Sequence, residues 1–214
     1  MATVLTRNTA PHITALWRGT ARPVTETDHA WADLGSRSRF ARIDHESALV
    51  RLAELFRGSS ASSTIDGPAD IELLTTFAPG RLNQAASAWY DRAHPWATKT
   101  FDRATATGTN WFTAERRRLV RACFPRAPIV RSDEILDMLP FRTYLGPSAL
   151  DANHDVLHID YSHDRRNGLL LSRLSHDELV QVGPGVHLGI GLFGRRDRQT
   201  RGVLYFACRE RNAQ

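Results

Sequence analysis

The chain has 214 residues and a mass of 24.0 kDa, with 42% hydrophobic and 24% charged residues, the balance of one ordinary soluble domain with a sizeable core. Its formal charge is +5 and its pI near 9.8, yet Lys99 is the only lysine, and so arginine-heavy a balance is the mark of a GC-rich coding genome rather than of a polyanion-binding face. No run approaches the length of a membrane span, so membrane and nucleic acid are the least favoured partners.

Residues 1–43 spread Trp17, Trp31 and Phe40 among Thr, Ser, Arg, Pro and Gly without a sustained period, which reads as an arm. Asp44 is placed to cap a helix in which Leu49, Leu52, Ala53 and Phe56 share one face. Gly58 and the serine-rich run 59–63 end that helix and mark a boundary between residues 1–64, arm and helix, and residues 65–214, the main domain.

After the turn Asp66-Gly67-Pro68, residues 69–77 alternate as a strand with Ile71, Leu73 and Thr75 on one side. Residues 82–92 read as a helix with Ala85, Ala86 and Trp89 along one face. Two short strands, 98–102 and 110–113, follow around a loop in which Gly108 supplies a positive-φ option for a hairpin. Residues 115–122 give a short helix or edge segment with Arg116, Arg117, Arg118 and Arg121 on a solvated face.

From Leu136 strands come in sequence: 136–145, 155–161, 169–182, 186–195 and 202–209, broken by Gly, Pro or charged turns such as Gly183-Pro184-Gly185. About eight sequential antiparallel strands close most naturally into an up-and-down β-barrel, which has no free edge and room for one small ligand. The fold class expected is α+β, mainly such a barrel, with a few helices.

Cys123 and Cys208 have no CxxC spacing and apolar neighbours, so they read as buried free thiols in a reducing compartment. The first residues lack a basic stretch followed by an apolar one, and the location expected is cytoplasmic. A GxGxxG after a strand, a phosphate loop and a GxSxG are all missing, which excludes the nucleotide-binding and hydrolase motifs that depend on them.

The candidate chemistry lies on strands. Lys99 shares a face with Phe101; turned inward it is a desolvated base, Schiff-base nucleophile or anion anchor, and turned to a rim it snorkels. Arg142 shares a face with Pro140 and Tyr144, and it either grips a carboxylate or phosphate in a cavity or lies on the surface over Tyr144. His158 and Asp160 share a face opposite Leu157, Ile159 and Tyr161; the apolar face belongs inside, leaving His158 and Asp160 outside and making Tyr161 the interior donor. His176 and Glu178 instead interrupt a face that carries Leu174, Val180 and Val182, and polar groups set in an apolar lining are the better site candidates. Metal would need three or four convergent ligands, a spacing not found; a haem held by His158, His176 or His187 is the one cofactor considered.

From about Gly67 onward the chain resembles a group of largely uncharacterised bacterial lipocalin-like, or calycin-like, barrel proteins. The resemblance runs through Pro95-Trp96 with Lys99 and Phe101-Asp102, Gly108 with Asn110 and Phe112, and the block from Phe141-Arg142 to Leu150-Asp151. It continues through the run 157–161, Asp177-Glu178-Leu179-Val180, Gly185, Leu188-Gly189 and Tyr205-Phe206-Ala207. It implies the barrel and no particular reaction. The function expected is binding of a small apolar metabolite, with acid–base chemistry such as cyclisation, isomerisation or dehydration. Lys99, Glu178 and His176 are the catalytic candidates, and Arg142, Tyr161 and Asn110 the substrate-binding ones. A non-catalytic carrier or haem-binding barrel, and a basic nucleic-acid module, are the alternatives.

Overall fold

The computed structural model describes residues 45–78, 81–93, 98–118, 121, 129–131, 135–164, 167, 175–194 and 201–211. The strands among them are β1 (Ser60–Ala61), β2 (Gly67–Thr76), β3 (Thr98–Asp102), β4 (Thr107–Thr113), β5 (Ile129–Arg131), β6 (Ile135–Pro147), β7 (Asp155–Asp160), β8 (Ser175–Gly183), β9 (Val186–Phe193) and β10 (Arg201–Glu210). Eight of these are antiparallel neighbours in the order β2-β3-β4-β6-β7-β8-β9-β10, and β10 returns to β2, so the sheet closes on itself. The two shortest strands lie off the ring: β1 pairs with β8, and β5 with the start of β6. The expected up-and-down barrel is therefore present. The arm, the Asp44 cap, Pro95-Trp96, Cys123, the first part of the expected strand 169–182 and the 195–200 loop lie outside the described residues.

Period-two alternation sorts the buried residues of the ring into two cores. The interior core takes Ala69 and Ile71 from β2, Phe101 from β3, Phe112 from β4, Leu136, Met138 and Phe141 from β6, Leu157 and Ile159 from β7, Leu179 from β8, and Phe206 and Cys208 from β10. The second core lies outside the barrel. There Leu74, Val156, Val180, Val186, Leu188, Ile190, Leu192, Tyr205 and Ala207 meet helix α1 (His45–Arg57) through Leu52 and Phe56. Ala48, Leu52 and Phe56 are buried at a spacing of four, while Glu46 and Arg57 set opposite charges at the two ends of the helix dipole. Gly58 N–H donates to the Glu54 carbonyl at 2.9 Å and Ser59 Oγ to the Leu55 carbonyl at 2.7 Å, closing the last turn.

Helix α2 (Arg81–Ala93) lies beside β2, and Asn83 Oδ1 accepts from Thr76 N–H at 2.9 Å and from Thr76 Oγ1 at 2.8 Å. Ala85 and Trp89 are exposed, so the stripe expected on that helix is not a core face. Gly108 also serves a different purpose from the one expected. The positive φ of the β3–β4 turn belongs to Ala106, at 53°, and a Cβ on Gly108 would sit 2.3 Å from the Thr100 carbonyl oxygen and 2.4 Å from the Phe141 ring. Glycine is there for the close approach of the flanking strands β3 and β6.

In β6, Leu139 has φ 56° and breaks the alternation: Met138 opposes Asn110, yet Phe141 opposes Gly108. This bulge switches phase in mid-strand, so Leu136, Met138 and Phe141 all face inward. A leucine in the left-handed region is strained, and here its carbonyl is put to use in the barrel interior.

Candidate functional site

Four polar side chains converge within the apolar barrel. Lys99 Nζ donates to Asn110 Oδ1 at 2.8 Å and to Tyr161 Oη at 2.5 Å, and it lies 3.2 Å from Asp177 Oδ2. Tyr161 Oη in turn donates to Asp177 Oδ2 at 2.8 Å. Phe141, Tyr161 and Phe206 surround the ammonium with ring centroids 5.6, 5.2 and 5.7 Å away.

Local structure fixes each member. Lys99 and Asn110 are cross-strand partners on β3 and β4. Asn110 Nδ2 donates to the carbonyl of bulged Leu139 at 3.0 Å, which turns Asn110 Oδ1 toward the lysine. Tyr161 starts a 3-10 turn after β7, capped where Asp160 Oδ1 accepts from Ser162 N–H at 2.9 Å. Asn167 Nδ2 ties that turn to β6, donating to the Tyr161 carbonyl at 2.9 Å and the Pro140 carbonyl at 2.7 Å. Asp177 lies on β8 across from Ile159, on the same face as Leu179.

The cluster borders a cavity of about 300 Å³, whose apolar walls include Ile71, Leu73, Leu139, Leu204 and Phe206. Phe193 and Val203 also line it and are 46% and 43% exposed, placing apolar surface where the cavity meets solvent. The volume falls at the small end of ligand pockets, and an apolar wall with a few polar groups is their usual make-up. Burial, with the Asp177 charge second, holds the Tyr161 hydroxyl well above its ordinary pKa, so it remains a proton donor. Burial likewise pushes the interior Cys208 thiol up, so it is not a ready nucleophile.

Of the expected site residues, Lys99, Asn110 and Tyr161 thus meet at one point, and Asp177 joins them unexpectedly. The other three do not. Arg142 is exposed on the outer face of β6, away from the cavity. His176 and Glu178 also face outward: the apolar face they interrupt is buried by α1 and the 148–154 loop, not by the barrel interior. Glu178 is fully buried, accepting from Ser148 Oγ at 2.6 Å and Ala149 N–H at 2.7 Å. His158 Nδ1 and His176 Nε2 lie 3.7 and 3.9 Å from Glu178 Oε1, and neither nitrogen has a hydrogen-bond partner. Burial lowers the His176 pKa, against the pull of Glu178 and Asp177. His158 does face outward as expected, but it is buried beneath the stacked Tyr144 ring and bonded to the Pro147 carbonyl at 3.0 Å.

A separate hydrogen-bonded group lies at the other end of β9, where His187 Nδ1 meets Ser62 Oγ and Nε2 meets Glu210 Oε1, both at 2.7 Å. None of His158, His176 and His187, the histidines considered for a haem, is among the residues that line the 300 Å³ cavity. Among the described residues, no group of three or more His, Cys, Asp or Glu side chains is placed to hold a metal ion. No helix there is long and apolar enough to cross a membrane.

The sequence signal for Asp177 is its phase, which the more conspicuous neighbours His176 and Glu178 obscure. Asp177 alternates with Leu179, and whichever face holds Leu179 inside holds Asp177 inside too. No family model, curated protein or solved structure matches the chain.

Proposed function

We propose that the barrel binds a small, mostly apolar and electrically neutral metabolite, and that it performs acid–base chemistry on it. The observation that carries this reading is the Lys99–Asp177 ion pair at the wall of an otherwise apolar cavity. Taking two charges out of water costs several kcal/mol per ion, and apolar side chains of similar volume would stabilise the barrel at least as well. Such a pair beside a cavity is better accounted for by a ligand.

The charge balance selects the ligand. Asp177 already neutralises Lys99, and Lys99 already has three acceptors around it. An anionic ligand would set a second negative charge beside Asp177 in a low-dielectric site with one cation between them. A neutral hydroxyl or carbonyl meets no such penalty. Asp177 Oδ2 accepts from Tyr161 and pairs with the Lys99 ammonium at 3.2 Å, which leaves Oδ1 for the ligand. In a reaction Asp177 is the base, while Lys99 and Tyr161 stabilise a developing oxyanion. Isomerisation, cyclisation and dehydration all need that combination. The lipocalin-like resemblance belongs to the same proposal, as the barrel type that holds such ligands.

The test is fluorescence titration with the neutral probe N-phenyl-1-naphthylamine, with octanol and octanoate as competitors. Saturable binding at one site, with octanol displacing the probe at lower concentration than octanoate, is the expected result. Octanoate competing better than octanol would overturn the neutral-ligand reading, and no saturable binding would overturn the cavity reading itself.

A further inference from the structure

We propose that Lys99 captures its ligand covalently: the cavity takes a small apolar aldehyde or ketone, held as a protonated Schiff base with Asp177 as counter-ion. This rests on the cavity being the ligand site and names the class of ligand.

Chemistry and position agree on the amine. Lys99 is the only lysine in the chain, it borders the cavity, and its side chain is 6% exposed. A buried amine in apolar surroundings is the setting in which lysine serves as a carbonyl nucleophile. The rings of Phe141, Tyr161 and Phe206 favour a cation whether it is ammonium or iminium.

The charges and atoms also balance. Asp177 Oδ2, 3.2 Å from Nζ, takes one proton from the ammonium and frees the lone pair. Nζ attacks the carbonyl carbon, a C–N bond forms, and the carbonyl oxygen becomes the hydroxyl of a carbinolamine. The proton held by Asp177 passes to that hydroxyl, the C–O bond breaks, and water leaves, carrying two of the three original ammonium hydrogens. An ammonium and a carbonyl have become an iminium and water. There is no net proton change, and one positive charge still faces Asp177. The remaining N–H donates to Asp177, and Asn110 Oδ1, held in place through Leu139, is freed to accept from the carbinolamine hydroxyl. Tyr161 keeps its bond to Asp177 throughout. A non-covalent anion cannot enter with so little electrostatic disturbance.

The experiment incubates the folded protein with hexanal and sodium cyanoborohydride, which reduces an imine to a stable secondary amine, and follows intact mass and mapped peptides. Besides the α-amino terminus, Lys99 is the one primary amine available, so the assignment is unambiguous. Expected is one adduct at Lys99, forming about tenfold or more faster in folded protein than in urea, and slowed about tenfold or more by Asp177→Asn. Lys99→Arg, checked for folding by circular dichroism, should remove that adduct and leave the terminal one. Labelling confined to the α-amine, or equal rates at Lys99 in folded and unfolded protein, would overturn the proposal. If N-phenyl-1-naphthylamine still binds saturably in that case, covalent capture alone is refuted. If it does not, the cavity reading falls as well.

Discussion

Asp177 and Glu178 are adjacent carboxylates on one strand, both buried, and they belong to two different regions. Asp177 points into the barrel, where Lys99 and Tyr161 meet it at the wall of a cavity. Glu178 points out of the barrel into a second buried layer, where Ser148, Ala149 and two histidines surround it beneath a loop that touches α1. The first is buried at the wall of a cavity and the second is buried beneath protein. Burial of a charged group thus marks a site only where a ligand can reach it; otherwise it marks a structural anchor. Glu178 fastens the 148–154 loop to the sheet, and Asp177 pairs with Lys99 at the cavity wall.

The largest effect should come from breaking the anchor. Glu178→Ala strands the Ser148 hydroxyl, the Ala149 N–H and two histidines without a carboxylate, and should cost about 3 kcal/mol in urea unfolding. Probe binding by the folded fraction should be unchanged, and specific loss of that binding would erase the distinction between the regions.

Lys99→Met leaves Asp177 as an uncompensated buried charge and should cost about 2–3 kcal/mol. The double variant Lys99→Met with Asp177→Leu should regain most of that stability while staying unable to form the hexanal adduct. A double variant no more stable than the single one would make the ion pair a stabilising element and weaken the case for a site.

A gentler perturbation is Gly191→Leu. Gly191 lines the cavity, and a Cβ there stands 3.2 Å from the flexible Leu204 side chain and 3.6 Å from Asp177 Oδ1. The larger side chain should occupy the cavity and weaken N-phenyl-1-naphthylamine about tenfold or more, with a stability change of about 1 kcal/mol. Unchanged affinity in this variant would place the probe elsewhere.

The regions should also differ in pH dependence. His176, within electrostatic reach of Glu178, Asp177, His158 and Asp160, has a folded pKa below its ordinary value because of burial. The unfolded chain therefore binds the proton more readily, and stability is lost as pH falls below the unfolded value of about 6.5 toward the folded one. The slope contributed is at most about 1.4 kcal/mol per pH unit, and His176→Gln should flatten it in urea titrations across that window. An unaltered slope would show that His176 is not the group responsible. Smallest of all, Arg142→Ala should change stability by about 0.5 kcal/mol or less and leave binding as it was, since Arg142 is exposed on the outer wall.

Lys99 and Tyr161 are legible as candidates in the sequence, and so is the barrel that brings them together. These rest on local rules: a lysine beside Phe101 at a spacing of two, a tyrosine in phase with Leu157 and Ile159, and turn residues between alternating runs. Asn110 enters only with the resemblance. Arg142, His176 and Glu178 cannot be sorted in the same way. Alternation tells which residues share a face and is silent on which face is inside. Polarity settles that question only if the outer surface is wet, and α1 makes part of that surface a core. The Leu139 bulge adds a phase change that no periodicity announces.

Local chemistry in the chain itself thus determined the eight strands of the ring to within a few residues and, apart from the Leu139 bulge, which side chains travel together, because pleat and turn geometry act over a few residues; the short β1 and β5 were not legible in it. Tertiary structure alone decided that Asp177 rather than Glu178 faces Lys99. That choice depends on which side of β8 the helix covers and which side the barrel encloses, and those contacts join residues far apart in the chain, such as Lys99 with Asp177 and Phe56 with the core that holds Val180.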